Sequence, residues 1–197
     1  EAVGAIQQDS AERQLLERLE ECFSLLNEFS PEDRRRVQRL MTTLVQGMEM
    51  DLTVFSGTSS ADLTALKTRD DLDRYIYYVA GCVGEFWTDL MCAHRGGLRS
   101  WNVRSMSEIG VRFGKGLQLT NILKDIAHDL RRGRCYIPES MLADHGLTPT
   151  DLLDQHNLPR FRPVMSQLIR MTVEHLDQGW LYTMAIPRYE TRLRLSC

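Results

Sequence analysis

Apolar residues recur at three- and four-residue steps along almost the whole chain, and no segment shows the sustained alternation that a half-buried strand requires. That periodicity restricts the fold to packed helices. Leu15, Leu16, Leu19, Cys22, Phe23 and Leu26 form the stripe of a first helix expected over residues 10–27. Ser30-Pro31-Glu32-Asp33 then reads as a helix start, with a hydroxyl cap, proline in the first helical position and acids in the first turn. This second helix is expected to reach about residue 55, and residues 57–61 form a loop. A third helix begins within 68–73 and runs to 94, where Arg95-Gly96-Gly97 breaks it. A fourth covers 105–130 and is closed by Gly133. Residues 138–154 hold turns and short helices, and the last long helix spans 159–184. Short connections imply antiparallel neighbours, so the expectation is an all-α helical bundle. The 197 residues are 43% hydrophobic, enough to bury one core, and are read as a single helical domain over 1–197.

Several function classes drop out on composition. The net charge of −3 argues against a nucleic-acid partner, which would call for a basic face. The five cysteines are scattered with no C-x-x-C pair, so they read as reduced thiols of a cytoplasmic protein. No run of eighteen apolar residues is present. The opening EAVGAIQQDSAER has neither the basic start nor the apolar stretch of a signal peptide. With no initiating Met at one end and RLRLSC at the other, the chain is expected to be incomplete at both.

The segment QLTNILKDIAHDLRRGR (118–134) places Gln118, Asn121, Asp125 and Asp129 on one side of the fourth helix, flanked by Leu119, Ile122, Leu123, Ile126 and Leu130. A solvated face is the ordinary explanation of such acids. Against it, like charges four residues apart repel, and both acids lie near the helix C-terminus, where the macrodipole disfavours them. A divalent cation would relieve both costs. Oxygen ligands a turn apart suit Mg²⁺, which takes one or two carboxylates and completes its shell with phosphate oxygens. Lys124, Arg131, Arg132 and Arg134 add phosphate-binding cations. A second segment, DRYIYYVAGCVGEFW (73–87), holds Gly81 and Gly84 inside a helix. Each costs roughly 1 kcal/mol relative to Ala there, which points to close approach of another helix or a ligand.

YIYYVAGCVG (75–84), LQLTNILKDIAHDLRRGRCYIP (117–138) and, more weakly, QGMEMDL (46–52) resemble the squalene/phytoene synthase family. The second stretch has the form of that family's second aspartate-rich motif. The resemblance implies an isoprenoid-synthase-type bundle around a central hydrophobic cavity, and head-to-head joining of two prenyl diphosphates. It implies that Asp125 and Asp129, with Asn121, hold Mg²⁺ against a diphosphate, and that Gln118 extends this polar wall. Lys124 and Arg134 would bind phosphate oxygens, and Tyr75 would assist the leaving diphosphate as acid or base. Met48, Val79, Val83, Phe113, Gly114 and Leu117 would line the prenyl tunnel, although ordinary core packing explains these six almost as well.

The leading expectation is a squalene synthase acting on farnesyl diphosphate through a cyclopropyl intermediate, most like the bacterial enzymes, with NADPH if squalene is the product. YYVAGCVGEFW leans that way. QGMEMDL leans toward the alternative, phytoene or dehydrosqualene by the same chemistry. The family's first D-x-x-x-D motif is not in the chain and is expected before Glu1; Asp70-Asp71-Leu72-Asp73 is read instead as the acidic cap of the third helix. A third alternative is therefore an inactive homologue that serves as a binding subunit. The apolar product suggests peripheral association with the inner membrane.

Overall fold

The computed structural model describes residues 10–197, without the side chains of residues 10–12 and 15. The opening segment judged above for signal-peptide character is outside the described residues as far as Asp9, and so is the side chain of Leu15. Packing divides the chain into two compact units, one through Arg39 and one from Leu40 to Cys197.

In the first unit the helix expected over 10–27 is two helices, α1 (Ser10–Glu17) and α2 (Leu19–Glu28). The backbone at Arg18 leaves helical values (φ −103°, ψ 14°), and its guanidinium pairs with Glu21 at 2.6 Å. The apolar stripe is largely uncovered: Leu19 and Phe23 are exposed, and α2 buries no residue. The long helix α3 (Pro31–Val54) starts where the sequence places it. Ser30 Oγ accepts the Asp33 N–H at 3.1 Å, and Pro31 opens the first turn.

The second unit is built around α6 (Val103–Arg131), which packs along α5 (Cys82–His94) on one side and α8 (Leu158–Ala185) on the other. Asn102 caps α6 by accepting the Ser105 N–H at 3.1 Å, and Gly133 turns the chain out of it at φ +79°. Leu119, Ile122 and Leu130 carry α6 into the main core with Leu66, Leu72, Ile76, Leu142, Val164 and Leu168. Fully burying each such aliphatic side chain stabilises by about 1.5–3 kcal/mol. A second cluster joins Leu98, Met106, Tyr182, Ile186 and Leu193, the last from the short helix α9 (Thr191–Leu195). Another short helix, α7 (Glu139–Ala143), lies in the turn-rich region before α8.

Two elements differ from the sequence reading. The first is a parallel ladder of two two-residue strands, β1 (Thr64–Ala65) and β2 (Arg134–Cys135). The Thr64 N–H donates to the Gly133 carbonyl and the Leu66 N–H to the Cys135 carbonyl, both at 3.1 Å. Two residues are too few to show an alternation, so the sequence carries no sign of them. The second lies in the third helix. It starts as α4 (Arg69–Ile76) with a capping box, in which Thr68 Oγ1 accepts the Asp71 N–H and Asp71 returns the bond to the Thr68 N–H. It then widens into a π-helical turn over Tyr77–Gly81 before resuming as α5.

Gly84 and Gly110 let α5 and α6 touch backbone to backbone: a Cβ on Gly84 would fall on the Gly110 carbonyl oxygen. Gly114 meets the Ala80 carbonyl in the same way. Gly84→Ala forces these helices apart, because the obstacle is backbone that cannot rotate away. The expected net loss is about 1–3 kcal/mol in a urea unfolding curve, although Ala gains roughly 1 kcal/mol over Gly in helix propensity. Unchanged stability would mean that the two helices do not meet this closely.

Candidate active site

The polar stripe lies on the flank of α6, beside the face that enters the core. Gln118, Asp125 and Asp129 are half-buried there, while Asn121 and Lys124 are exposed. Lys124 Nζ stands 3.7 Å from Asp125 Oδ2, both ends in solvent, so the contact fixes little and the ammonium is free to turn to another anion. Burial, and then the adjacent Asp125 carboxylate, raise the Asp129 carboxyl above its ordinary range, against the pull of His128, Arg134 and Arg132. The repulsion expected from the spacing is therefore present in the folded chain. Among the described residues nothing hydrogen-bonds to the Asp129 carboxylate.

At the foot of the stripe the chain turns at Gly133 into β2, and the ladder to β1 sets which way the next side chains face. Arg134 and Tyr136 lie two residues apart and turn to the same side, while Cys135 between them is buried. Both reach Asp51 of α3. Arg134 Nη1 donates to Asp51 Oδ2 at 2.6 Å, and the Tyr136 hydroxyl donates to Asp51 Oδ1 at 2.6 Å. The Tyr136 ring stacks on Tyr75 of α4, with centroids 4.9 Å apart and planes at 25°, and Phe55 meets its edge at 4.8 Å. Burial raises the Tyr75 phenol above its usual range; burial and the bond to Asp51 raise that of Tyr136 further. Burial also pushes the Cys135 thiol up to about 12, which leaves it an inert neighbour.

Asp129, Arg134 and Tyr136 are the polar groups of a small pocket whose apolar walls include Ile122, Ile126, Leu130 and Ile137. The structure thus brings Asp129, Arg134 and Tyr75 into one neighbourhood, with Asp125, Asn121 and Gln118 continuing up α6. Asp51 and Tyr136 are members that sequence reasoning did not assign. Both lie inside stretches already singled out, QGMEMDL and the RCYIP end of the longer motif, and those stretches were the available signal.

The six residues expected around prenyl tails separate. Met48, Val83 and Leu117 are exposed, and Met48 continues an exposed apolar line along α3 with Met41, Val45 and Leu52. Val79 packs against the main core. Gly114 is the contact of α6 with the π-helical turn, and Phe113 lies against α8 at Gly179 rather than beside the stripe.

Two carboxylates with an amide above them are a hard oxygen donor set, and the raised Asp129 carboxyl is a cost that a cation would relieve. Among the described residues no three His, Cys, Asp or Glu side chains gather closely enough to hold a metal ion on their own.

The whole chain, residues 1–197, matches the family described as squalene/phytoene synthase. The chain belongs to that family. A 15-cis-phytoene synthase of Enterobacter agglomerans is 40% identical over 111 residues, which are 56% of this chain and 34% of that protein. A phytoene synthase of Thermus thermophilus is 38% identical over 103 residues, 52% of this chain and 32% of that protein. The chain thus spans about a third of the length of these curated relatives. Among solved structures, TcSQS in complex with BPH1237 superposes with a TM-score of 0.74 at 20% identity, covering 91% of this chain and 50% of that one. A squalene synthase of Alicyclobacillus acidocaldarius gives 0.61 at 19% identity, covering 89% and 57%. At that identity the two structures speak for the all-α fold.

The raised Asp129 carboxyl fixes the sign of a pH effect. Between the ordinary carboxyl range and its own higher value, the folded chain holds a proton that the unfolded chain releases. Stability therefore falls as pH rises through that window, and at neutral pH the ionised carboxylate destabilises the fold. Asp129→Asn is expected to raise the melting temperature at pH 7 in metal-free buffer, with the gain shrinking as pH falls through that window and gone below about pH 4. A lower melting temperature at pH 7 would contradict this assignment.

Proposed function

We propose that the protein couples two prenyl diphosphates head to head, in the manner of a phytoene synthase. The observation that carries this reading is the joining, in one neighbourhood, of the half-buried Asp129 with Arg134 and Tyr75, in a chain whose family is established. The curated relatives of 38–40% identity are named phytoene synthases. Those names move the preference from the farnesyl branch expected first to the geranylgeranyl branch.

Asp125, Asp129 and Asn121 are the residues that would hold Mg²⁺. Bound there, it supplies positive charge against the diphosphate as the allylic C–O bond ionises. Arg134 and Lys124 bind phosphate oxygens, and the Gln118 amide extends the polar wall. The Tyr75 phenol, its pKa raised by burial, keeps its proton at neutral pH and can donate a hydrogen bond to the departing group. The allylic cation left behind needs a wall without water, and Met48, Val83 and Leu117 present apolar surface for the prenyl tails. Val79, Phe113 and Gly114, expected with them, would complete that wall from the interior. NADPH belongs only to the reductive ending that yields squalene. No helix among the described residues is long and apolar enough to cross a membrane; the apolar product would leave by peripheral contact with a membrane surface.

The test incubates the full-length protein and Mg²⁺ with geranylgeranyl or farnesyl diphosphate, with and without NADPH. Phytoene without NADPH is expected, reduced by about 10²-fold or more in Asp125→Ala. Squalene formed only with NADPH would return the protein to the farnesyl branch. No product from either substrate would overturn the proposal in favour of an inactive binding subunit.

A further inference from the structure

We infer that Asp51 is a positioning residue which keeps Arg134 off Asp129, so that the acidic stripe stays open to a cation carrying diphosphate. The inference rests on the diphosphate-site reading above. Three observations support it. Both Asp51 oxygens are used by one short stretch of chain: Oδ2 by Arg134 Nη1 and Oδ1 by the Tyr136 hydroxyl, each at 2.6 Å. The clamp is partly withdrawn from solvent, with the Asp51 side chain 18% and that of Arg134 29% exposed, so neither end drifts as surface pairs do. Finally, Arg134 and Asp129 line the same small pocket, and Arg134 already acts on the Asp129 carboxyl through space.

The alternative partner is therefore close by. A guanidinium released from Asp51 finds Asp129 across the pocket, and an arginine–carboxylate pair there would cover the oxygens a cation needs. Nη1 is committed to Asp51 and the guanidinium also interacts with the Tyr136 hydroxyl; an N–H not used by these two would be the one to meet an incoming phosphate. Tyr136, held by the second oxygen, supports the ring of Tyr75. One carboxylate thus orients the basic group and the phenol together, without touching substrate. The β1–β2 ladder makes this workable, because it fixes Arg134 and Tyr136 on the same side of a strand too short to hold register alone.

The test measures Mg²⁺-dependent binding of inorganic pyrophosphate to the full-length protein by titration calorimetry, with melting curves as a control on folding. Asp51→Asn keeps the shape of the side chain and removes its charge. Its dissociation constant is expected to rise at least about tenfold, roughly 1.4 kcal/mol, while Asp51→Asn/Arg134→Gln binds no worse than Arg134→Gln alone. That non-additivity, with melting temperatures of the variants close to wild type, is the signature of action through Arg134; a purely structural ion pair would lower the melting temperature along with the affinity. Should Asp51→Asn fail to fold, Tyr136→Phe removes one of the two bonds that fix the Asp51 carboxylate and so loosens its hold on Arg134; a smaller loss of affinity in the same direction is expected. Wild-type binding with unchanged or tighter binding in Asp51→Asn, or in Tyr136→Phe where that variant stands in for it, would overturn this inference alone. No Mg²⁺-dependent binding by the wild type would overturn the site reading and the inference with it.

Discussion

The arrangement from Leu40 onward depends on how closely α6 can approach its neighbours. Gly84 and Gly110 bring it against α5, and Gly114 brings it against the π-helical turn at Ala80. On the α8 side Gly116 receives the backbone around His175 and Leu176. A helix held this tightly on two sides cannot rotate, and its third side is fixed by Leu119, Ile122 and Leu130 in the core. Only then is the flank carrying Gln118, Asn121, Asp125 and Asp129 aimed in one direction. The glycines lower helix propensity and leave α6 with little amphipathic character of its own, so tertiary contact has to supply its stability. A binding constellation gains precision when it sits on an element that is immobilised in this way.

The same helix carries charge where its own electrostatics oppose it. Asp125 and Asp129 stand near the C-terminal end of α6, one turn apart, and burial adds to the penalty at Asp129. A fold selected for stability alone would place apolar or basic residues there. Under the proposed diphosphate site, the two carboxylates would lower the stability of the chain in exchange for a bound cation, as sites for charged ligands commonly do. Asp51 fits this logic. Arg134, which lines the same pocket as Asp129, is tied to another carboxylate, and burial and Asp125 still outweigh the pull of the cations around Asp129.

Helix starts were legible because their signals are local. Ser30 with Pro31 and Thr68 with Asp71 each complete a cap within three residues of sequence. The stripe on α6 was legible for the same reason: one helix, one pitch, one face. What could not be read was held by distance. Asp51 meets Arg134 and Tyr136 across 83 and 85 residues, and no local pattern records that pairing. Phe113 packs on α8 at Gly179, a partner that helical position alone does not name. The break at Arg18 has no proline or glycine to announce it.

The π-helical turn has a consequence for the site. In an unbroken α-helix Tyr75, Val79 and Val83, each four residues apart, would climb one face in a shallow spiral. The wider turn over Tyr77–Gly81 changes the rotation between the ends of that series, and such turns recur at functional sites. Tyr75 enters the core against Tyr136, Val79 stays half-buried, and Val83 emerges into the open. One helix can therefore present a buried phenol at its polar end and an exposed aliphatic surface at its apolar end. A reaction that ionises a diphosphate and then shelters a hydrocarbon cation needs those two environments in that order. Gly81 serves the turn, since a Cβ there would crowd Tyr77, Lys115 and Val111 all at once. A side chain at that position would disturb the turn and the α6 contact together, so the rotation that separates Tyr75 from Val83 is fixed by the same close packing that aims the acidic stripe.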